Sequence, residues 1–259
     1  MQRIREVHLT LKLRKCKFAQ KELKFCGKII GSGNKRPDPE KVAAVQGLAP
    51  AKTKTEVRQL LGFFAYFREH IPNFAVIAKP LTDLTVKQVP NKVPWTDVHT
   101  VALNQLKQLL CEATLKPLKI ADFQLPFNVT VDASDYGVAG YLSQIDGEGV
   151  ERPLAFFSIK LNAGQKAWAT VHKEAFAVIS ALRKFRHWVF GAEIHVFSDH
   201  NPLTFLTETA PKNAKLMRWS LALQDFDISF HFLRGRLNVA ADCLSRLGPD
   251  EPCSPGHTD

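Results

Sequence analysis

Apolar positions change their spacing twice along this chain, and each change marks a different kind of structure. Over residues 6–31 apolar and basic positions alternate, as in VHLTLKLRKCKF and KELKFCGKII. That period of two predicts two strands, joined at about Ala19 to Glu22. GSGNKRPDP then reads as a turn, because Gly and Pro punctuate both ends. From residue 38 to 115 the spacing becomes helical. Asp38 and Pro39 suit the cap and first turn of a helix in DPEKVAAVQGL. Thr53, with Glu56 three residues on, opens TKTEVRQLLGFFAYFREH with a capping-box signature. IPNFAVIAKPLTDL predicts a shorter helix broken by Pro80, and TDVHTVALNQLKQLLCEA a further one after the loop from Pro90 to Pro94. The run Phe63, Phe64, Tyr66 and Phe67 suits the core of such a bundle better than a base-stacking platform.

After residue 123 strand and helix signals alternate. Strands are predicted near 126–132, 138–144, 152–158, 193–198 and 227–233, and helices near 162–187, 201–207, 213–224 and 239–246. Asp146-Gly147 marks a hairpin between the second and third strands. The order predicts an α/β fold built on a mixed five-stranded sheet. Residues 248–259, GPDEPCSPGHTD, hold three prolines and two glycines without apolar periodicity, and predict a disordered tail. The chain thus divides into a basic β-hairpin (1–37), a small helical domain (38–122), an α/β domain (123–247) and the tail.

Charge sharpens this picture. The net charge is +10 over 259 residues, and residues 1–40 carry 11 Lys or Arg against 4 Asp or Glu. A basic surface of that kind attracts phosphate backbones, and Lys12, Arg14, Lys15 and Lys17 are its candidate contacts. No apolar run approaches the roughly 20 residues a membrane span needs, and MQRIREVHLTLKLRK lacks a signal-peptide core. Cys16, Cys26, Cys111, Cys243 and Cys253 are odd in number and far apart, which fits reduced thiols rather than a disulfide framework. An intracellular protein is expected, cytoplasmic or nuclear, neither secreted nor bound to membrane.

Four acidic residues carry the chemistry. Asp132 lies at a strand end in FNVTVDASDYG, Glu174 inside a helix in VHKEAFAVISAL, Asp199 at a second strand end in IHVFSDHNPL, and Asp242 at the start of a short helix in NVAADCLSR. Two strand-end carboxylates and two helical ones can meet at one point. Carboxylates that close repel unless divalent cations neutralise them, and an all-oxygen donor set suits Mg²⁺ or Mn²⁺. Two metals so held perform in-line phosphoryl displacement. Taken singly, each aspartate also fits a turn or helix-start position. Glu174 is different, because Val171, Ala175, Val178 and Ile179 put it near an apolar face, where a lone carboxylate is costly.

VDASDYGVAGYLSQ, PLAFFSIKL, KEAFAVISALRKFRHWVFG, SDHNPLTFL and NVAADCLSR, in that order, resemble the RNase H domain of gypsy-class LTR retrotransposon reverse transcriptases. Upstream, LTLKLRKCKFAQKELKFCGKII, RPDPEKVAAV and RQLLGFFAYFREHIPNFAVIAKPL resemble the end of that family's polymerase palm and its helical thumb. The resemblance implies an RNase H-like sheet preceded by a palm remnant and a thumb-like domain. It implies Asp132, Glu174, Asp199 and Asp242 as ligands of two Mg²⁺ ions, with Mn²⁺ as a substitute. The implied partner is an RNA/DNA hybrid, cut in its RNA strand, with Ser134, His200, Asn201, Arg234, Arg236 and Asn238 as further candidate contacts. The family's palm carries Tyr-x-Asp-Asp, and this chain has no adjacent aspartate pair, so DNA synthesis by it is not expected. It reads as an N-terminally truncated polyprotein fragment, whose partner would be the missing polymerase portion or a second copy. LRGRLN at residues 233–238 departs from the family's usual Arg-Pro-Gly-Lys turn. A catalytically silent nucleic-acid-binding remnant is the alternative to a nuclease. A duplicated-domain ATPase is not, because this chain has one copy and no glycine-rich phosphate turn.

Overall fold

Two hydrophobic cores form in the computed structural model, which describes residues 6, 8, 10, 12–199 and 214–232. The first lies among helices α1 (Pro39–Gln46), α2 (Lys54–Tyr66), α3 (Phe74–Ile77), α4 (Lys79–Asp83) and α5 (Asp97–Leu115), where Val57, Phe64, Leu81, Leu106 and Leu110 are fully buried. Both expected caps form. The Glu40 amide donates to the Asp38 carboxylate (3.1 Å) and the Glu56 amide to the Thr53 hydroxyl (3.3 Å). Glu56 in turn accepts from the Lys52 amide (2.7 Å). The break near Pro80 falls at Ala78, and Pro80 itself sits in the first turn of α4, where its missing N–H costs nothing. Phe64 and Phe67 fill the core as expected, whereas Tyr66 is half exposed and its hydroxyl donates to the Cys26 carbonyl.

The N-terminal strands correct the sequence reading. Instead of one hairpin turning near Ala19 to Glu22, three short strands follow each other: β1 (Glu22–Phe25), β2 (Lys28–Gly31) and β3 (Asn34–Pro37). Cys26-Gly27 and Ser32-Gly33 form the turns, with both residues of each pair at positive φ (47° and 71°, 49° and 73°). That backbone matches the twist of the flanking strands, and glycine in second place makes it accessible. The GSGNKRPDP stretch is therefore a two-residue turn plus a strand. Lys12, Arg14, Lys15 and Lys17 precede the hairpin and do not lie on it; Leu13–Lys15 is a single 3₁₀ turn, and the four cations are exposed. A fourth strand, β4 (Leu118–Lys119), pairs with β3 after the helices, so the basic ribbon and the helical segment share one sheet. Glu69 locks that junction. It binds Lys28 and Lys35 from neighbouring strands; burial pushes its carboxyl up, but the adjacent His70 ring and those two ammonium groups outweigh it and hold the carboxyl far below the usual range.

The second core lies between a five-stranded sheet and the long helix α7 (Thr170–Val189). The strand order is β7 (Glu151–Lys160), β6 (Gly137–Ile145), β5 (Phe127–Ala133), β8 (Glu193–Ser198), β9 (Asp227–Phe232). β5, β6 and β7 run antiparallel, while β8 and β9 are parallel to β5. All five strands were legible in the sequence within two residues. The helix expected over 162–187 is two helices, α6 (Ala163–Lys166) and α7, and α8 (Ala214–Leu223) packs beside α7. The helices expected at 201–207 and 239–246, and the tail, lie outside the described residues. Phe127, Val129, Val131, Ile194 and Val196 meet Val178, Leu182 and Phe185 in this core. The helical unit docks on β7, where the Ala75 amide donates to Ser158 Oγ (2.8 Å) and Lys160 pairs with Asp83 (2.6 Å).

One glycine fixes how closely β5 approaches β6. A Cβ on Gly140 would stand 2.2 Å from the Thr130 carbonyl oxygen and 2.7 Å from the Phe157 ring. Backbone cannot yield as a side chain does, so Gly140→Ala is expected to destabilise the protein by at least about 3 kcal/mol. Chemical denaturation checks this, and a loss below about 1 kcal/mol would mean the strands separate freely.

Candidate active site

Parallel neighbours end on the same side of a sheet, and here Asp132 stands next to last in β5 while Asp199 directly follows β8. The β5–β8 register pairs Thr130 with Phe197, and continuing it by two residues places Asp132 beside Asp199. Such strand ends are where open α/β sheets place their ligands. Glu174 comes from the first turns of α7, which packs on β5 and β6. One carboxylate oxygen from each of Asp132, Glu174 and Asp199 lies within 4.8 Å of the others. Asp132 and Glu174 are buried, at 4% and 1% exposure, and Asp199 is half-buried.

Three carboxylates so close alter each other's chemistry. Glu174 is pushed up to about 8, first by burial and then by the charges of Asp132 and Asp199. The Ala133 amide and the Ser198 hydroxyl, 3.4 Å away, oppose the rise. Without a cation, the crowding therefore keeps Glu174 protonated near neutral pH. A hard divalent cation with oxygen ligands fits the cluster, and a thiol- or imidazole-preferring metal does not.

Two supports of this geometry escaped the sequence reading. Lys173 is buried beside Glu174 and donates to Asp135 (2.5 Å) in the turn after β5. That ion pair ties the turn following Asp132 to the helix carrying Glu174, and it holds the Asp135 carboxyl below its usual range. Ser198, the last residue of β8, supplies the hydroxyl at Glu174. Adjacent Lys-Glu on a helix gave the only signal, because neighbours there point about 100° apart. Ser134 is committed locally: its hydroxyl donates to the Gly137 carbonyl and accepts from the Tyr136 and Gly137 amides. Asp242, His200, Asn201, Arg234, Arg236 and Asn238 lie outside the described residues. Cys16, Cys26 and Cys111 are free thiols, and no described helix is long and apolar enough to cross a membrane.

Residues 122–226 match the RNase H-like domain found in reverse transcriptase. This chain carries that domain. The RNase H-like domain and its upstream region together are 35% identical to the Retrovirus-related Pol polyprotein from transposon opus of Drosophila melanogaster, over 94% of this chain and 25% of that protein. They are 32% identical to the corresponding polyprotein of transposon gypsy of the same organism, over 93% of the chain and 24% of the relative. The chain thus spans about a quarter of the length of these relatives. The fold is shared with a foamy viral protease-reverse transcriptase solved in complex with RNA/DNA hybrid. That match has a TM-score of 0.75 at 23% identity, covering 95% of this chain and 33% of the other. The gypsy-class resemblance of the sequence motifs is thereby met, and the carboxylate cluster falls inside the RNase H-like domain.

Proposed function

We propose that the chain is a metal-dependent endonuclease that hydrolyses the RNA strand of RNA/DNA hybrids. One observation carries this reading: three carboxylates from three separate elements converge inside a reverse-transcriptase RNase H-like domain. The hybrid in complex with the foamy viral protein of the same fold supports the substrate. Asp132, Glu174 and Asp199, completed by Asp242, would hold two Mg²⁺ ions, with Mn²⁺ able to replace them. When bound, such ions lower the pKa of a coordinated water and stabilise the departing 3′ oxygen. The remaining work falls to the chain itself. Asp132, on the strand between β6 and β8, would supply a ligand oxygen close to those of both other carboxylates. Ser198 orients Glu174, and Lys173 holds helix and turn together so that the donors stay convergent. Discrimination of RNA from DNA would rest on the 2′-hydroxyl, with Ser134, His200, Asn201, Arg234, Arg236 and Asn238 as the candidate contacts beside the site. On this reading the chain is a hybrid-binding partner of the polymerase portion of its polyprotein, or of a second copy.

The test incubates a hybrid with end-labelled RNA with the full chain in Mg²⁺ and in EDTA, alongside Asp199→Asn. Cleavage confined to the hybrid, to Mg²⁺ and to the unmodified chain is expected. Hybrid binding without any cleavage by the folded chain would establish a silent binding remnant instead.

Lys12, Arg14, Lys15 and Lys17 make a separate prediction. If they grip the hybrid's phosphates, replacing all four by Ala will reduce the slope of log affinity against log salt by about 1 for each phosphate no longer neutralised. Fluorescence anisotropy over a salt series reads this, and an unchanged slope would leave the four cations as ordinary solvated surface.

A further inference from the structure

Away from the carboxylate cluster, two imidazoles face each other across the edge of the five-stranded sheet. His195 on β8 and His231 on edge strand β9 bring Nδ1 and Nε2 to 3.0 Å, with ring centres 5.0 Å apart. Both rings are held in place. His231 stacks on Phe197 at 5.0 Å and 23°, and His195 Nε2 lies 3.5 Å from Glu193 Oε1. A carboxylate beside Nε2 suits the tautomer with the proton there, in which His195 Nδ1 turns a lone pair to its neighbour.

We infer that His195 and His231 form a site for an imidazole-preferring divalent metal of the Zn²⁺ kind, distinct from the Mg²⁺-type carboxylate cluster. Two imidazoles on one tetrahedral Zn²⁺ hold their nitrogens about 3.3 Å and their ring centres about 5.2 Å apart, given bonds of about 2.0 Å. The observed pair needs to open by only a few tenths of an ångström. The ion would take the place of the hydrogen bond between the two rings, with water completing its coordination. Glu193 would act as the outer-shell carboxylate that orients a liganding histidine. Donor chemistry separates the two centres, because imidazole suits Zn²⁺ and Cu²⁺ while carboxylates suit Mg²⁺. The site joins an edge strand to the sheet, and β9 buries little of itself. A bound ion would therefore staple this exposed edge strand to β8.

The test titrates the full chain with Zn²⁺ by calorimetry in saturating Mg²⁺, and follows thermal unfolding in parallel. One Zn²⁺ per chain is expected, with a Tm raised by a few degrees. Affinity should fall at least tenfold in H195A and in H231A and persist in D132N. Cu²⁺ as a probe should give an electron paramagnetic resonance spectrum split by two imidazole nitrogens, a readout that needs no variant. Absence of Zn²⁺ binding in Mg²⁺ would overturn the assignment. So would binding that survives both histidine variants, binding lost in D132N, or a Cu²⁺ spectrum without nitrogen splitting.

Discussion

Asp132→Asn is expected to lower Mg²⁺-dependent cleavage of an RNA/DNA hybrid at least about 1000-fold, a loss of about 4 kcal/mol in transition-state stabilisation. The same substitution should stabilise the protein in EDTA. Both outcomes follow from one geometry. Asp132 is buried at a strand end with Glu174 and Asp199 inside 4.8 Å, and its charge is among the causes that push Glu174 up to about 8. Asparagine keeps the shape and removes the charge, so the repulsion within the cluster falls while an anionic metal ligand is lost. The gain in metal-free stability is on the order of 1 kcal/mol, or a Tm increase of about 2–4 °C. Gel assays and calorimetry at pH 8 read the two effects. A variant that is inactive but less stable would point to Asp132 as a packing residue, and one that still cleaves would remove it from the metal site.

Much of this was readable in the sequence alone, for identifiable reasons. The period-two runs of β5 to β9 and the long apolar stripe of α7 carry their own geometry, and their ends came out within two residues. Asp132 and Asp199 were legible because strand ends are easy to place. Glu174 was legible because a carboxylate among Val171, Ala175, Val178 and Ile179 has no inexpensive structural role. The N-terminal ribbon was misread because its turns are only two residues long. Cys26-Gly27 looks like strand interior until its positive φ values are known. Lys173 and Ser198 stayed hidden because their work depends on long-range pairing, with Asp135 on a turn 38 residues away and Glu174 on a helix 24 residues away. Likewise nothing in the sequence puts His195 next to His231. Their contact depends on the parallel register of β8 and β9, which pairs Phe197 with His231. Periodicity tells which face a residue takes, whereas register between distant strands is set by the packed core.

The carboxylate cluster should also make stability depend on pH in a direction that Mg²⁺ reverses. Glu174 titrates near its ordinary 4.5 when unfolded and near 8 when folded without metal. Between those values the folded chain binds the extra proton, so metal-free stability is full below about pH 4.5 and falls as pH rises towards 8. The slope from this one group is about 1.4 kcal/mol per pH unit, on the order of 5 kcal/mol across the window. Unfolding in EDTA should accordingly shift down by roughly 10 °C between pH 5 and pH 8. Mg²⁺ held by the same carboxylates favours their ionised forms, so in Mg²⁺ the decline should flatten and the stability at pH 8 should recover. Glu174→Gln provides the control, because it removes the titrating group and should leave a shallow profile in EDTA. Equal slopes for the two proteins would place the pH dependence elsewhere in the chain. A steep wild-type slope that Mg²⁺ does not relieve would separate the buried glutamate from metal binding. The predicted pattern needs both at once: the proton and the cation compete for one oxygen cluster, and the fold is least stable where neither occupies it.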